Sequence, residues 1–320
     1  MNVKEKYIDP FTDFGFKWLF GTEEHKDLLI SFLNDLLELD DKIVNVEYRN
    51  LEKLGLNIVD RKAIFDVFCT DEKDNNFIVE LQRSKQKYFK DRSVYYTSFP
   101  IQEQSKKGTW DYELKKVYFI GILEFDMHKD EKDTKSDDTK YLTKVQLCDV
   151  ETKDTFYDKL TYYYLEMPKF KKTEEELSNH LDYWLYALNN MTDLTSVPEK
   201  LKTDKVITQA FDIAEFLALS KDEQFSYQQD LKSRLDYQNV MDYAKEMAAE
   251  EGMQKGMQKG MQKGMQKGMQ KGREEGREEG REEGREEGIL TIAKNLLDLL
   301  DNETISLKTG LSVDIIESLR

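Results

Sequence analysis

The sequence predicts an α/β sandwich, a mixed sheet covered by helices, followed by an all-helical C-terminal region. Three observations predict it. The order of patterns along the first 170 residues is helix, two or three strands, helix, further strands, which is the order of a layered α/β domain. The strand-like runs are apolar on both faces, as strands are when helices cover both sides of the sheet. From about Lys172 the periodicity turns helical and stays so to the end of the chain.

After an aromatic entry (DPFTDFGFKWLFG), Leu28, Leu29, Phe32, Leu33, Leu36 and Leu37 recur at helical spacing, and Thr22 followed by glutamates marks a helix start. IVNVEYRN alternates like a strand. KAIFDVFC (62–69) and FIVELQ (77–82), joined by the polar DEKDNN, read as a β-hairpin. Residues 86–107 read as a helix and KKVYFIGILEF as a buried strand. HKDEKDTKSDDTK (128–140) reads as an exposed insertion, and YLTKVQLCDV and LTYYYLEM as two more strands. TEEELSNHLDYWLYALNNM is an amphipathic helix, and more helices follow between about 205 and 250.

GMQK then repeats five times from Gly252 and GREE four times from Gly272, ending at Gly288. A four-residue period on a 3.6-residue helix advances about 40° per repeat, so the glycines trace a slow spiral. Each glycine weakens a helix by about 1 kcal/mol relative to alanine, so the segment is either a charged tether or a helix rescued by packing. Its first half carries five lysines and its second half is net acidic, an asymmetry that favours antiparallel pairing in a homodimer. Residues 289–320 read as two short helices with a turn at Thr309–Gly310, and lack the Lys and Arg of a DNA-reading helix-turn-helix. The expected domains are 1–170, a helical region 171–250, the repeat 251–288 and a terminal module 289–320.

With 48 basic and 64 acidic residues the net charge is −16, which argues against indiscriminate coating of nucleic acid. One stretch is locally basic: Arg83 to Lys116 holds nine Lys or Arg against four acids. Cys69 and Cys148 lie 79 positions apart in apolar runs and are expected to be buried free thiols. His25, His128 and His180 are too scattered for a histidine metal site. The N-terminus has no basic segment leading an apolar core, and no run of about 18 apolar residues occurs, so a cytoplasmic protein without membrane contact is expected.

The chemistry concentrates in the hairpin. Alternation puts Ile64, Asp66 and Phe68 on one face of the first strand, and Ile78, Glu80 and Gln82 on one face of the second. Two carboxylates within apolar strands are unfavourable unless neutralised, and side by side they repel. A divalent cation resolves both difficulties, and hard oxygen ligands select Mg²⁺ or Mn²⁺. Gln82 would point the same way and orient water or a phosphate, and the basic helix beyond it would hold a strand backbone. On the residues alone, a salt-bridged Asp66 and an ordinary exposed Glu80 are the simpler reading, and Asp60 reads as a turn residue. Asp13 and Lys17 could equally be a helix cap and a surface charge. Tyr95 and Tyr96 could stack on bases.

The strand aspartate followed by E-x-Q is similar to the PD-(D/E)XK nuclease signature with glutamine in place of lysine. DFGFKWLFG (13–21), KAIFDVF (62–68), FIVELQRS (77–84), the following helix and LKKVYFIGIL (114–123) together resemble the Rpn family of recombination-promoting nucleases and transposases. The likeness spans roughly residues 5–170. It implies a restriction-endonuclease-like core with a mixed central sheet and a metal-dependent DNA endonuclease. Asp66 and Glu80 would bind Mg²⁺ or Mn²⁺, and Gln82 would stand where the superfamily has lysine. Because glutamine carries no charge, Lys85 is a candidate for the missing cation, and Arg83, Lys87, Lys90 and Arg92 are candidate DNA contacts. The alternative is a catalytically weak or inactive nuclease fold that binds DNA or assembles on it. The biological setting implied is recombination, mobile elements or defence.

Overall fold

The structure is a computed structural model that describes residues 6–53, 63–105, 111–127 and 139–320. Asp60, Lys106, Lys107, His128 and most of the expected insertion 128–140 lie outside the described residues. The chain divides into two compact units, Met1–Tyr237 and Gln238–Arg320.

In the first unit, six strands form one sheet: β1 (Val46–Tyr48), β4 (Val67–Asp71), β5 (Asn76–Gln82), β6 (Val117–Leu123), β7 (Leu142–Cys148) and β8 (Thr155–Glu166). Two short strands, β2 (Glu52–Lys53) and β3 (Ala63–Ile64), pair separately. The order across the main sheet is β1-β4-β5-β6-β8-β7. β5, β6 and β8 run parallel, while β1, β4 and β7 are antiparallel to their neighbours. The mixed sheet and the hairpin are therefore as expected, with one change. The predicted single strand 62–69 is interrupted at Phe65 and Asp66, because the Asp66 N–H bonds to the Glu80 side chain at 3.2 Å instead of continuing the ladder.

Period-two alternation sorts the strand side chains into two cores. On one face, Val67, Cys69, Phe77, Val79, Ile120, Ile122, Tyr163 and Leu165 pack against α1 (Asp13–Phe20), α2 (Lys26–Leu37), α4 (His180–Asn190) and α5 (Lys205–Ala214). On the other, Phe68, Ile78, Phe119, Tyr162 and Tyr164 pack against α3 (Phe89–Glu103). The Ser93 and Thr97 hydroxyls of α3 pair with the Tyr164 and Tyr162 hydroxyls at 2.7 and 2.9 Å, so the polar atoms buried with that helix are satisfied. The helices of 171–237 thus share the core of the sheet domain.

Local rules explain the entry helix. Thr12 caps α1 by accepting from the Gly15 N–H at 2.9 Å. A Cβ at Gly15 would lie 2.1 Å from the Asp9 carbonyl oxygen, so the DFGF motif needs glycine there for close backbone approach. Cys69 is buried as expected. Cys148 is exposed, because it ends β7 on the open edge of the sheet. Among the described residues, no helix is long and apolar enough to cross a membrane.

The helix α6 runs from Lys221 to Leu296, so the repeat is helical. In the second unit, its last turns pack Ala293 against Ile305 of α7 (Asn302–Thr309) and Ile316 of α8 (Val313–Ser318). Gly310 makes the expected turn between them with φ of 78°, a left-handed conformation suited to glycine. Among the described residues nothing lies within 4 Å of a Cβ placed at any repeat glycine, and Met253, Met257, Met261, Met265 and Met269 are exposed.

His180 ties three helices together. Its Nδ1 meets the Asp35 carboxylate of α2, and its Nε2 meets Asp204, the cap of α5, at 2.6 Å. Burial by itself lowers the imidazole pKa, but the two carboxylates outweigh it and the net shift is upward. A raised folded-state pKa stabilises fully below the unfolded value of about 6.5 and stops doing so as pH rises through the folded value. His180→Asn should therefore destabilise the protein clearly at pH 6 and much less at pH 9, measured by urea unfolding at both. An equal loss at the two pH values would show that the imidazolium is not what holds the helices.

Candidate functional site

The site lies at the C-terminal end of β5. Because Ile78, Glu80 and Gln82 alternate onto the α3 face, a carboxylate and a carboxamide are placed inside an apolar layer, with Glu80 only 4 % exposed and Gln82 5 %. The break before β4 brings Asp66 alongside. Its Oδ2 accepts from the Leu81 N–H at 2.8 Å, while its own N–H donates to Glu80 Oε1. The hairpin register, with Val67 opposite Val79, carries on to set Asp66 and Glu80 level with one another.

Electrostatics follow from that placement. Burial, the largest influence, pushes the Asp66 carboxyl above its ordinary value, against the Leu81 N–H and the Lys17 charge, which pull it down. Burial likewise raises Glu80, the Asp66 charge adds to the effect, and Arg92 and Lys17 oppose it. Two carboxylates that cannot both ionise easily are a site short of positive charge.

Three cationic side chains act on that deficit. Lys17, on α1, is paired with Asp13 at 2.9 Å, and its charge acts on both Asp66 and Glu80. Arg83 follows Gln82 directly, bears on Asp66, and faces Asp230 at 3.7 Å. Arg92 reaches inward from the first turn of α3: its Nη2 stands 3.6 Å from Glu80 Oε2 and donates to Gln82 Oε1. Its guanidinium is thus turned into the site, and it lies over the rings of Tyr96 and Phe89 at 5.4 and 5.7 Å. Lys85, Lys87 and Lys90 are exposed on the loop and on α3, with the Lys87 ammonium over the Tyr88 ring. Tyr96 packs edge-on against Phe65, whereas the Tyr95 ring is largely exposed.

A cleft of about 410 Å³ opens beside Asp66, lined in part by Asp13, Asp66, Gln82, Arg83, Ser84 and Tyr237. The strand reading brought together Asp66, Glu80 and Gln82, and the structure unites them. Of Asp13 and Lys17, left open between cap and site, Asp13 lines the cleft and Lys17 is its ion-pair partner, while Thr12 is the cap. What the sequence did not signal is the part played by the start of α6. Tyr237 approaches Ser84 Oγ at 3.4 Å, Asp230 accepts from the Phe14 N–H at 2.9 Å, and Arg234 pairs with Glu124 at 2.6 Å and Asp9 at 3.3 Å. Arg234 also donates to the Phe11 carbonyl, 223 positions away in sequence, and no local pattern marks such pairs.

The family model for PD-(D/E)XK nuclease family transposases matches residues 10–244. The chain belongs to that family. The match covers the sheet, the helices on both its faces and the beginning of α6, so the whole surround of the cleft lies within it. The nuclease family also agrees with the resemblance read from the motifs, and it makes DNA the substrate class. No curated protein and no solved structure matches the chain.

Nucleases of this kind use divalent ions, and the donor set can be tested against one. Among the described residues no group of three or more His, Cys, Asp or Glu side chains gathers as a metal cluster. Two carboxylates are nevertheless what a magnesium ion commonly takes from a protein, the rest of its shell being water and substrate oxygen. The shortage of positive charge around Asp66 and Glu80 is the physical sign that such an ion fits here.

The same shortage predicts a stability gain on neutralisation. Asp66→Asn keeps the acceptor for the Leu81 N–H but removes the like charge, so the metal-free protein should gain about 0.5–2 kcal/mol. Thermal unfolding in chelator tests this, and a lower midpoint than wild type would show that the two carboxylates do not strain the fold.

Proposed function

We propose that this protein is a divalent-metal-dependent DNA endonuclease that hydrolyses phosphodiester bonds. The observation that carries the reading is the buried Glu80 lying level with Asp66, which lines an open cleft, two acids whose repulsion a cation held between them would relieve. Asp66 and Glu80 would hold Mg²⁺ or Mn²⁺ between them. A bound ion of that kind supplies polarisation of a phosphoryl oxygen and lowers the pKa of a water. The chain's own residues bind and orient. Leu81 N–H fixes the Asp66 carboxylate, Asp66 N–H fixes Glu80, and Gln82 faces the phosphate. Arg83, Lys87 and Lys90 contact the DNA backbone, and Lys85, next to the site in sequence, is available to the developing charge. Recombination, mobile-element activity or defence against foreign DNA suits an enzyme that cuts DNA.

Plasmid cleavage by the purified chain in Mg²⁺ or Mn²⁺ is the test. Asp66→Ala and Glu80→Ala should each lower the rate by more than the roughly 100-fold that loss of an outer-shell partner costs a metal site. Chelator should abolish cleavage of wild type. A folded wild type that binds DNA without cutting it would instead favour the inactive-scaffold reading, for which the glutamine at position 82 is the best argument.

The repeat helix is proposed as a homodimer contact. Five exposed methionines and ten unpacked glycines lie on a helix whose lysine-bearing half complements its acidic half in an antiparallel pair. Sedimentation at micromolar concentration should show a dimer that weakens with salt, and a monomer there would remove the proposal.

A further inference from the structure

Gln82 poses a chemical question. Its carboxamide carries an acceptor edge and a donor edge of nearly equal shape, and only the donor edge suits a phosphate oxygen. Two neighbours decide which edge goes where. The Arg92 guanidinium has five N–H donors and no acceptor, so the side of Gln82 that meets Arg92 Nη2 must be its oxygen. The Ser84 carbonyl can only accept, so the side that meets it at 2.8 Å must be the nitrogen. Both constraints agree, and they leave one N–H of the amide unused on a residue that lines the cleft.

Arg92 is itself held in place for this. Its Nη1 donates to Gln86 Oε1 at 2.9 Å, its plane lies over Tyr96 and Phe89, and its Nη2 stands 3.6 Å from Glu80 Oε2. Tyr96 is four residues on along α3 and so lies on the same helix face, under the guanidinium. A side chain anchored by three hydrogen-bonding or ionic partners and two rings is poorly placed to track a mobile DNA backbone.

We infer that Arg92 is a positioning residue that fixes Gln82 as a hydrogen-bond donor toward a phosphate in the cleft. The strand thereby obtains a donor, and the site a fixed positive charge, from two side chains at the place where a single lysine would supply both. The inference rests on the nuclease reading for its substrate, and it adds a specific division of labour between β5 and α3.

The test uses the full chain, a duplex oligonucleotide as substrate, and kcat and KM measured separately in Mn²⁺. Arg92→Gln should lower kcat about 10–100-fold, the range for loss of an orienting partner, with KM for DNA little changed. Gln82→Glu keeps the shape and strengthens the pairing with Arg92, but it replaces the donor edge with an acceptor. It should therefore lose at least as much activity, with folding of the variant checked by circular dichroism. Gln82→Lys placed in the Arg92→Gln background restores a donor and a charge on the strand, and should recover about tenfold or more of the lost kcat.

Three results would overturn the inference. One is Arg92→Gln acting on KM and its salt dependence alone, the mark of a direct phosphate contact. Another is full kcat in Gln82→Glu. The third is no recovery in a double variant that melts like Arg92→Gln. Failure of the nuclease reading looks different, since wild type then shows no cleavage that Asp66→Ala removes. In that case binding of the same duplex in Ca²⁺, followed by fluorescence anisotropy, decides. Weaker binding by Gln82→Glu supports a donor at position 82, and unchanged binding rejects it.

Discussion

The constraint on which the first unit depends is that β5, the strand between two apolar cores, ends in polar side chains. Glu80 and Gln82 leave the sheet on the α3 face, where Ile78 before them is packed among phenylalanine rings. A buried carboxylate without compensation raises its pKa or recruits partners. Here it does both. The neighbouring strand breaks so that an Asp66 N–H can serve Glu80, and α3 turns an arginine inward at its first turn. The Asp66 N–H and the Arg92 guanidinium thus converge on one glutamate at one register position.

Position along the sheet matters as much as burial. β5, β6 and β8 run parallel, so their carboxyl ends emerge together, the usual place for a binding crevice in an open α/β sheet. Each of these ends carries an acid: Glu80 in β5, Glu124 after β6 and Glu166 closing β8. Two are answered internally, Glu124 by Arg234 and Glu166 by Lys169, which also meets Asp126 at 3.3 Å. The Asp66–Glu80 pair differs in that two buried carboxyls lie side by side, burial raises both, and Asp66 lines the cleft.

The second unit follows other physics. Its packed part is small, three buried side chains with four partly buried leucines around them, closed by capped helices at Asp301 and Ser312. Among the described residues, nothing packs on the glycines of the repeat before it. Its glycines weaken the helix, offset in part by i,i+4 pairs such as Lys271 with Glu275 at 3.5 Å. A helix of this composition is stable only marginally by itself.

Sequence alone determined what periodicity and composition encode: the strands, the helices, the mixed α/β class, and Asp66, Glu80 and Gln82 on adjacent strands. Those features are local, because a period of two or of 3.6 and a short turn fix them wherever the chain goes next. It also suggested one continuous strand through Asp66 and a buried Cys148. Both failed because pairing and edges belong to the sheet and not to the segment. Only the tertiary structure decided that Lys17 and Arg92 supply the charge at the site. It alone placed Tyr237, Asp230 and Arg234 of α6 around the cleft, and it alone gave Gln82 its orientation. Such facts depend on which side chains meet across long separations, and electrostatic fields and hydrogen-bond directions follow distance in space, which no local pattern records.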